Sequence, residues 1–266
     1  MKIFFFVIAL MISTCAASKV QEKSNLANTK DEQKKSKVTH PTNTKKKMLF
    51  PPPSKVTLGF YQASQIKNYQ MMDMYLSQGA DINCRNCNSS GRTALSMAIA
   101  QTADVDVPLV KYLIQNGADT NFPEDKGVSP LMLAAQRAKF DYAKVGATAL
   151  TIDLLLQNGA KLESVDDEGA SAINYLSGWN AEKESIKRLV RAGVNINHQS
   201  KKTGMNLLMT AAQNCINSSP EIIDYLLQNN ANRSLKEISG NTALDFAISS
   251  ALQNQYCNPL VTILSK

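Results

Sequence analysis

The residues nearest to chemistry in this 266-residue chain are four cysteines, Cys84, Cys87, Cys215 and Cys257. The run Cys84-Arg85-Asn86-Cys87 has the spacing of a redox centre, half a zinc site or a local staple. No second C-x-x-C completes a zinc site, and the two histidines, His40 and His198, lie elsewhere in the sequence. His198, in the polar run Asn-His-Gln-Ser-Lys-Lys, reads as an exposed loop imidazole with no nucleophile beside it. No G-x-S-x-G, Gly-rich phosphate loop or H-E-x-x-H occurs. The expectation is therefore a protein that is not an enzyme, with no catalytic residue, cofactor or metal.

What positions the cysteines is a phrase written five times. The fullest copy, L-I-Q-N-G-A-D-T-N, runs from Leu113 to Asn121; the others end at Asn83, Glu163, Asn197 and Ser234. Leucines followed by Gly, or once by Asn230, describe an apolar helix stopped by a left-handed residue. The stop positions Gly79, Gly117, Gly159, Gly193 and Asn230 are separated by 38, 42, 34 and 37 residues, a period that implies stacked repeats. Upstream of the stops lies a second phrase, in copies at Gly91–Ala98, Gly127–Ala135, Gly169–Leu176, Gly204–Ala212 and Gly240–Ala247. Each copy is a turn Gly, then Thr, Ser or Asn as an N-cap, then a short helix whose small residues allow close packing.

This pair of phrases resembles the ankyrin repeat, whose pattern is G-x-T-P-L-H-x-A-A followed by L-L-x-x-G-A-D-x-N. The resemblance covers about residues 56–266. It implies an all-α solenoid of stacked ankyrin-like helix-turn-helix repeats with short hairpin fingers. About six units including caps are expected, near 56–83, 84–121, 122–163, 164–197, 198–234 and 235–266. The first lacks a turn phrase, as a capping repeat should. No copy keeps the family's His: Ser96, Met132, Asn174, Met209 and Asp245 stand there. That departure implies weaker hydrogen bonding at the helix starts. Extra residues separate the paired helices in several units. Pro108, Pro220 and Pro259 follow such insertions, at expected outer-helix starts. The insertion in the third unit is expected to lengthen its helices and carry Phe140 and Tyr142 to one rim.

The repeat phasing bears on the cysteines. A finger does not supply the helix N-terminus that redox C-x-x-C motifs use, so a Cys84–Cys87 disulfide is expected. Cys215 falls near the end of one inner helix and Cys257 just before the next outer helix, regions that adjacent repeats place side by side, so these two form the second expected pair. Ankyrin-like arrays bind proteins through finger tips and exposed inner-helix surface. The partner-binding candidates are the acidic finger residues Glu124, Asp125, Asp166, Asp167 and Glu168, the inner-helix methionines Met132 and Met209, Trp179, and the rim pair Phe140 and Tyr142. Each has a plainer alternative: solvated turns for the acids, core packing for the methionines and Trp179.

The N-terminal region reads separately. Lys2 precedes an apolar run, Ile3 to Ile12, then Ser-Thr-Cys-Ala-Ala-Ser. This is too short to span a bilayer and suits a signal peptide over 1–17. Ile12-Ser13-Thr14-Cys15 also resembles a bacterial lipobox, departing from it at Thr14, so lipidation at Cys15 is the alternative. Residues 18–55 read as a disordered Lys-rich linker. Residues 1–55 hold 11 of the 29 Lys and Arg but 3 of the 22 Asp and Glu, so the +7 net charge belongs to them; residues 56–266 hold 18 against 19. A domain without a basic field excludes nucleic acid as the expected partner. The expectation is an exported monomer, periplasmic or extracellular, that reaches a membrane only through a lipid anchor. Three roles fit: an interaction scaffold for a protein partner, an inhibitor or immunity protein masking a toxic or lytic enzyme, and an effector delivered to a host cell.

Overall fold

Two helical elements form wherever the two phrases meet, and each such pair stacks on the next. The computed structural model describes residues 52–85, 87–88, 90–100, 105–140, 146–179 and 182–266; the proposed leader, most of the linker, Cys15 and Tyr142 lie outside them. Unit 1 comprises α1 (Lys55–Gln65) and α2 (Tyr69–Ser77), and unit 2 comprises α3 (Ala94–Ala100) and α4 (Val107–Gln115). Unit 3 has α5 (Pro130–Arg137) and α6 (Ala147–Gln157); unit 4 has a 3-10 turn (Ala172–Tyr175) and α7 (Lys183–Arg191). Unit 5 has α8 (Leu207–Gln213) and α9 (Pro220–Gln228), and unit 6 has α10 (Ala243–Gln253) and α11 (Asn258–Leu264). Inner elements pack on inner elements, α3 on α5 and α8 on α10, and outer on outer, α4 on α6 and α9 on α11. The result is an all-α solenoid, with no strand among the described residues.

The core follows the phrases. Leu95, Leu131, Ile173 and Leu208 from the first phrase, and Leu113, Leu155, Leu189 and Leu226 from the second, are all buried between units. Each contributes about 1.5–3 kcal/mol of burial. The missing histidine does not leave the inner helices uncapped. Side-chain oxygens of Thr93, Ser129, Asn206 and Thr242 accept the amides of Ser96, Met132, Met209 and Asp245 at 3.1, 3.3, 3.0 and 3.4 Å. Pro108, Pro220 and Pro259 sit in the first turn of α4, α9 and α11, where no amide donor is needed.

The helix stops have the expected backbone. Gly79, Gly117, Gly159 and Gly193 have φ between 84° and 91°, and Asn230 adopts 66° in their place. A Cβ on any of those four glycines would meet nothing within 4 Å, so the requirement is conformational and not steric. The Asp or Asn two residues later closes a local turn: Asp81, Asp119, Asn195 and Asn232 accept the amides of Asn83, Asn121, Asn197 and Ser234 at 2.8–3.1 Å. The last residue of the phrase then reaches the next unit. Asn83 accepts the amide of Asp119 at 2.9 Å, Asn121 that of Lys161 at 2.9 Å, and Asn197 that of Asn232 at 2.7 Å. In the third copy Glu163 takes the same role, accepting the amide of Asn195 at 3.2 Å.

Two expectations are corrected, the second in part. Unit 4 has no inner α-helix, only the 3-10 turn Ala172–Tyr175. Leu176 and Gly178 stand where the other copies continue an Ala-containing helix, and Asn174 ties the turn to the next finger, its Nδ2 donating to the carbonyls of His198 (2.9 Å) and Met205 (3.2 Å). Leu176 is then extended, and Gly178 sits at φ 75°. In unit 3 the extra length goes to the outer helix: α6 has 11 residues where α4, α7 and α9 have 9, whereas α5 ends at Arg137 and continues only as the 3-10 turn Ala138–Phe140.

Candidate functional site

The fingers bind one another before they can bind anything else. Asp167 donates its amide to the carbonyl of Lys126 at 2.9 Å, Lys202 to that of Glu168 at 3.2 Å, and Ile238 to that of Thr203 at 3.2 Å. The acidic side chains pair in the same direction. Asp125 meets Arg85 at 2.5 Å, Glu124 meets Arg92 at 3.3 Å, and Glu168 meets Lys202 at 2.6 Å. Burial raises the Glu124 carboxyl above its ordinary range, with Arg92 opposing. Asp166 accepts the amides of Glu168 (2.9 Å) and Ala170 (2.8 Å) and the hydroxyl of Tyr175 (2.7 Å). Tyr175 is raised in turn, by burial first and then by that bond. Asp167 stands exposed. Three of the five acids, Glu124, Asp125 and Glu168, therefore pair between units, Asp166 is bonded within its own unit, and Asp167 is left exposed, in place of the open acidic patch that sequence spacing implies. His198 is likewise not a free imidazole: it is half-buried, with Nε2 3.0 Å from the carbonyl of Gly169.

The methionine candidates are also corrected. Met132 and Met209 are 0% and 1% exposed, sealed by the neighbouring units, and present no surface to a partner. Ser96 is buried at the same position of the phrase, whereas Asp245, in unit 6 with no described unit packed beyond it, is exposed.

The cysteines come together as Cys84 with Cys87 and Cys215 with Cys257, with Cα atoms 5.8 and 5.5 Å apart. Among the described residues no group of three His, Cys, Asp or Glu side chains could hold a metal ion. The second pair has a consequence for the surface. It ties the loop after α8 to the loop after α10, on the side of the array opposite the fingers. Next to the two cysteines in sequence stand Ile216 and Tyr256, 71% and 78% exposed, and Leu252 in the last turn of α10 is 85% exposed. These three large side chains, two aliphatic and one aromatic, stand uncovered around one disulfide, which makes this end of the array a candidate interaction surface.

The rim continues toward unit 3. Phe140 is 48% exposed there, with the Arg137 guanidinium 4.9 Å and the Lys139 ammonium 5.1 Å from its ring centre. Trp179 lies in the corresponding loop of unit 4, half-buried. Ile248 extends the patch onto the end of the array. Its equivalents in the first phrase, Ile99, Ala135 and Ala212, are buried beneath the following unit, whereas Ile248 is exposed. Of the rim residues, Phe140 and Trp179 are among the candidates the sequence offers, and Ile216, Leu252 and Tyr256 are not. A signal for the latter exists: large apolar residues isolated in the Asn-, Gln- and Ser-rich loops N-C-I-N-S-S and L-Q-N-Q-Y-C-N. On the outer face, a separate cleft of about 320 Å³ opens between α7 and α9, lined by Lys183, Ile186, Lys187, Glu221, Ile222 and Asp224 among others. Its lysines and carboxylates oppose one another across the walls, so it carries no net charge to select a ligand.

Stacked two-helix units, left-handed helix stops and an asparagine ladder between units define a repeat-protein interaction module. The profile of the family described as ankyrin repeats (3 copies) matches residues 60–166, 140–236 and 176–263, and the chain belongs to the ankyrin repeat family. An ankyrin repeat protein of Rickettsia felis is 27% identical over 139 residues, which cover 52% of this chain and 58% of that protein. The chain thus spans less than two thirds of the length of the curated relatives it matches. Among solved structures, an ankyrin repeat domain from Acinetobacter baumannii superposes with a TM-score of 0.62 at 24% identity, covering 77% of this chain and 97% of that one. A chain from a Bdellovibrio bacteriovorus complex of a predatory endopeptidase with an immunity protein gives 0.59 at 20% identity, covering 79% and 98%. At these identities the likenesses show the fold. Ankyrin repeats serve in general as non-enzymatic protein-interaction modules.

Proposed function

We propose that this protein is an exported, non-enzymatic scaffold that binds a protein partner through the apolar rim around the Cys215–Cys257 pair. The observation that carries the reading is the exposure of Ile216, Leu252 and Tyr256 beside a disulfide that braces the backbone under them. A braced aromatic and two aliphatic anchors form the kind of cluster that dominates binding energy, because little side-chain or loop ordering remains to be offset on association. The internally paired fingers are in this reading a stiffening seam. Export rests on the apolar run Ile3–Ile12 after Lys2 and on the pairing of all four cysteines of the array, since such pairs persist in oxidising compartments. Lipidation at Cys15 remains the alternative form of export.

The test is capture from envelope extract with the full chain and with Leu252→Asp/Tyr256→Ser. A partner retained by the first and lost at least tenfold from the second supports the reading; equal retention by both refutes the rim. A second, narrower reading is an inhibitor or immunity protein that masks a hydrolase in the same compartment. The likeness to a chain from the endopeptidase and immunity protein complex favours it. It requires that the captured partner be a hydrolase and lose activity on binding.

A further inference from the structure

Unit 4 departs from its neighbours where its inner helix should continue. The segment 176–179 leaves the 3-10 turn without regular structure and is fastened to unit 5 by its carbonyls: Ser218 Oγ donates to Gly178 at 2.7 Å and Asn214 Nδ2 to Ser177 at 3.2 Å. Gly178 lies so close to α8 that a Cβ on it would come within 2.3 Å of the Ala211 Cβ. The amides of the segment face the opposite way, toward Glu182. Its Oε2 accepts the amides of Ser177 at 2.8 Å and Trp179 at 3.0 Å, while its own amide donates to the Trp179 carbonyl at 2.9 Å. Glu182 is the residue before α7, yet its carboxylate makes no bond to the first amides of that helix.

The side chain is fully buried, and its second oxygen, Oε1, has no hydrogen-bond partner; neither has the buried indole Nε1 of Trp179. An ionised carboxylate with one bare oxygen in a dry site is costly, whereas a proton on Oε1 removes the charge and leaves Oε2 free to go on accepting both amides. Burial pushes the carboxyl up to about 7, ahead of the opposing pull of the Trp179, Ser177 and Gly178 amides and of the Lys139 charge. The charged side chain acting on it from unit 3 is Lys139. On its own helix Lys183 lines the outer cleft and Glu184 pairs with Lys187, and unit 5 meets the segment with the neutral Ala211, Asn214 and Ser218.

We infer that Glu182 is a proton-operated pin at the junction of units 4 and 5: neutral, it stays dry and holds segment 177–179 on α8, and ionised, it draws water or Lys139 to Oε1 and loosens that segment. The inference does not depend on which partner the rim binds. It does place a pH-responsive hinge in the middle of the array, within the rim itself.

The chain reports on its own pin, because Trp179 is its only tryptophan. The emission of the full chain is titrated between pH 5.5 and 8.5, with circular dichroism following the helices. The expected result is a sigmoid with a midpoint near pH 7, flat in Glu182→Gln, unchanged in His198→Asn, and shifted upward in Lys139→Met, which removes the favourable charge. A flat wild-type titration, or a transition that survives in Glu182→Gln, overturns the inference. Should Glu182→Gln fail to fold, Lys139→Met decides: an upward midpoint supports the pin, and an unchanged or lower one overturns it.

Discussion

Glu182 carries the largest consequence of any single side chain. Its carboxyl rises from an ordinary 4.5 to about 7 through burial. A group whose value is raised in the folded state stabilises fully below its unfolded value and loses that contribution as pH rises through the folded one. Between about pH 4.5 and 7 the protein should therefore lose stability, and above 7 the loss should level off, at roughly 3 kcal/mol if the whole shift is expressed. Urea unfolding at pH 5 and pH 8 should show this drop in the wild type and little of it in Glu182→Gln. At this scale the sequence was legible where a side chain acts on its own neighbourhood. Asn230 in place of Gly is one such case, adopting φ 66°. Replacing Asn230 with Gly should stabilise by up to about 1 kcal/mol, measured as a higher denaturation midpoint. Glu182 was not legible, because its burial depends on a loop from its own unit docking on the next one. For Met132 and Met209 the sequence left core packing and an exposed strip both open for the same reason: periodicity places them on a helix face but does not say that a neighbouring unit covers it.

Among the elements, the stop phrase does more than end a helix. Its final Asn carries the hydrogen bonds from one unit to the next, and Asn121 makes two of them, accepting from Lys161 (2.9 Å) and donating to Gly159 (2.8 Å). Asn121→Ala should cost about 1–3 kcal/mol, because it orphans backbone groups on the next unit; thermal unfolding measures it. The repetition of that Asn was visible in the sequence, but its direction, outward to the following unit, needed the stacking geometry. The unit 4 inner element leaves a local trace in the sequence. Its phrase opens with Gly169, Ser171 and Ala172 like the other copies, but Leu176 stands where they have Ala98, Ala134, Ala211 and Ala247, and Gly178, a poor helix former, follows. Gly178→Ala should destabilise strongly, since φ 75° and the contact with Ala211 both oppose a side chain. The Cys215–Cys257 pair closes a span of 42 residues. Opening it by Cys215→Ser/Cys257→Ser should cost up to about 4 kcal/mol, lowering the unfolding midpoint of the non-reduced protein.

For the whole molecule, the array and its six units were legible because the two phrases recur in phase and each can bury its apolar face only against a neighbour. What distinguishes this array from a generic one was not, since it depends on which surface residues are consumed by neighbours. Glu124, Asp125 and Glu168 spend their charges on Arg92, Arg85 and Lys202, whereas Ile216, Leu252 and Tyr256 are left uncovered around a disulfide. The fingers thus hold the stack and the opposite rim faces outward. Site-specific photo-crosslinking in envelope extract tests this division most directly, with a photoreactive residue introduced at Leu252 in one protein and at Asp167 in another. A partner adduct from position 252 and none from position 167 is the expected result. Adducts from 167 alone would return the binding surface to the fingers and contradict the rim.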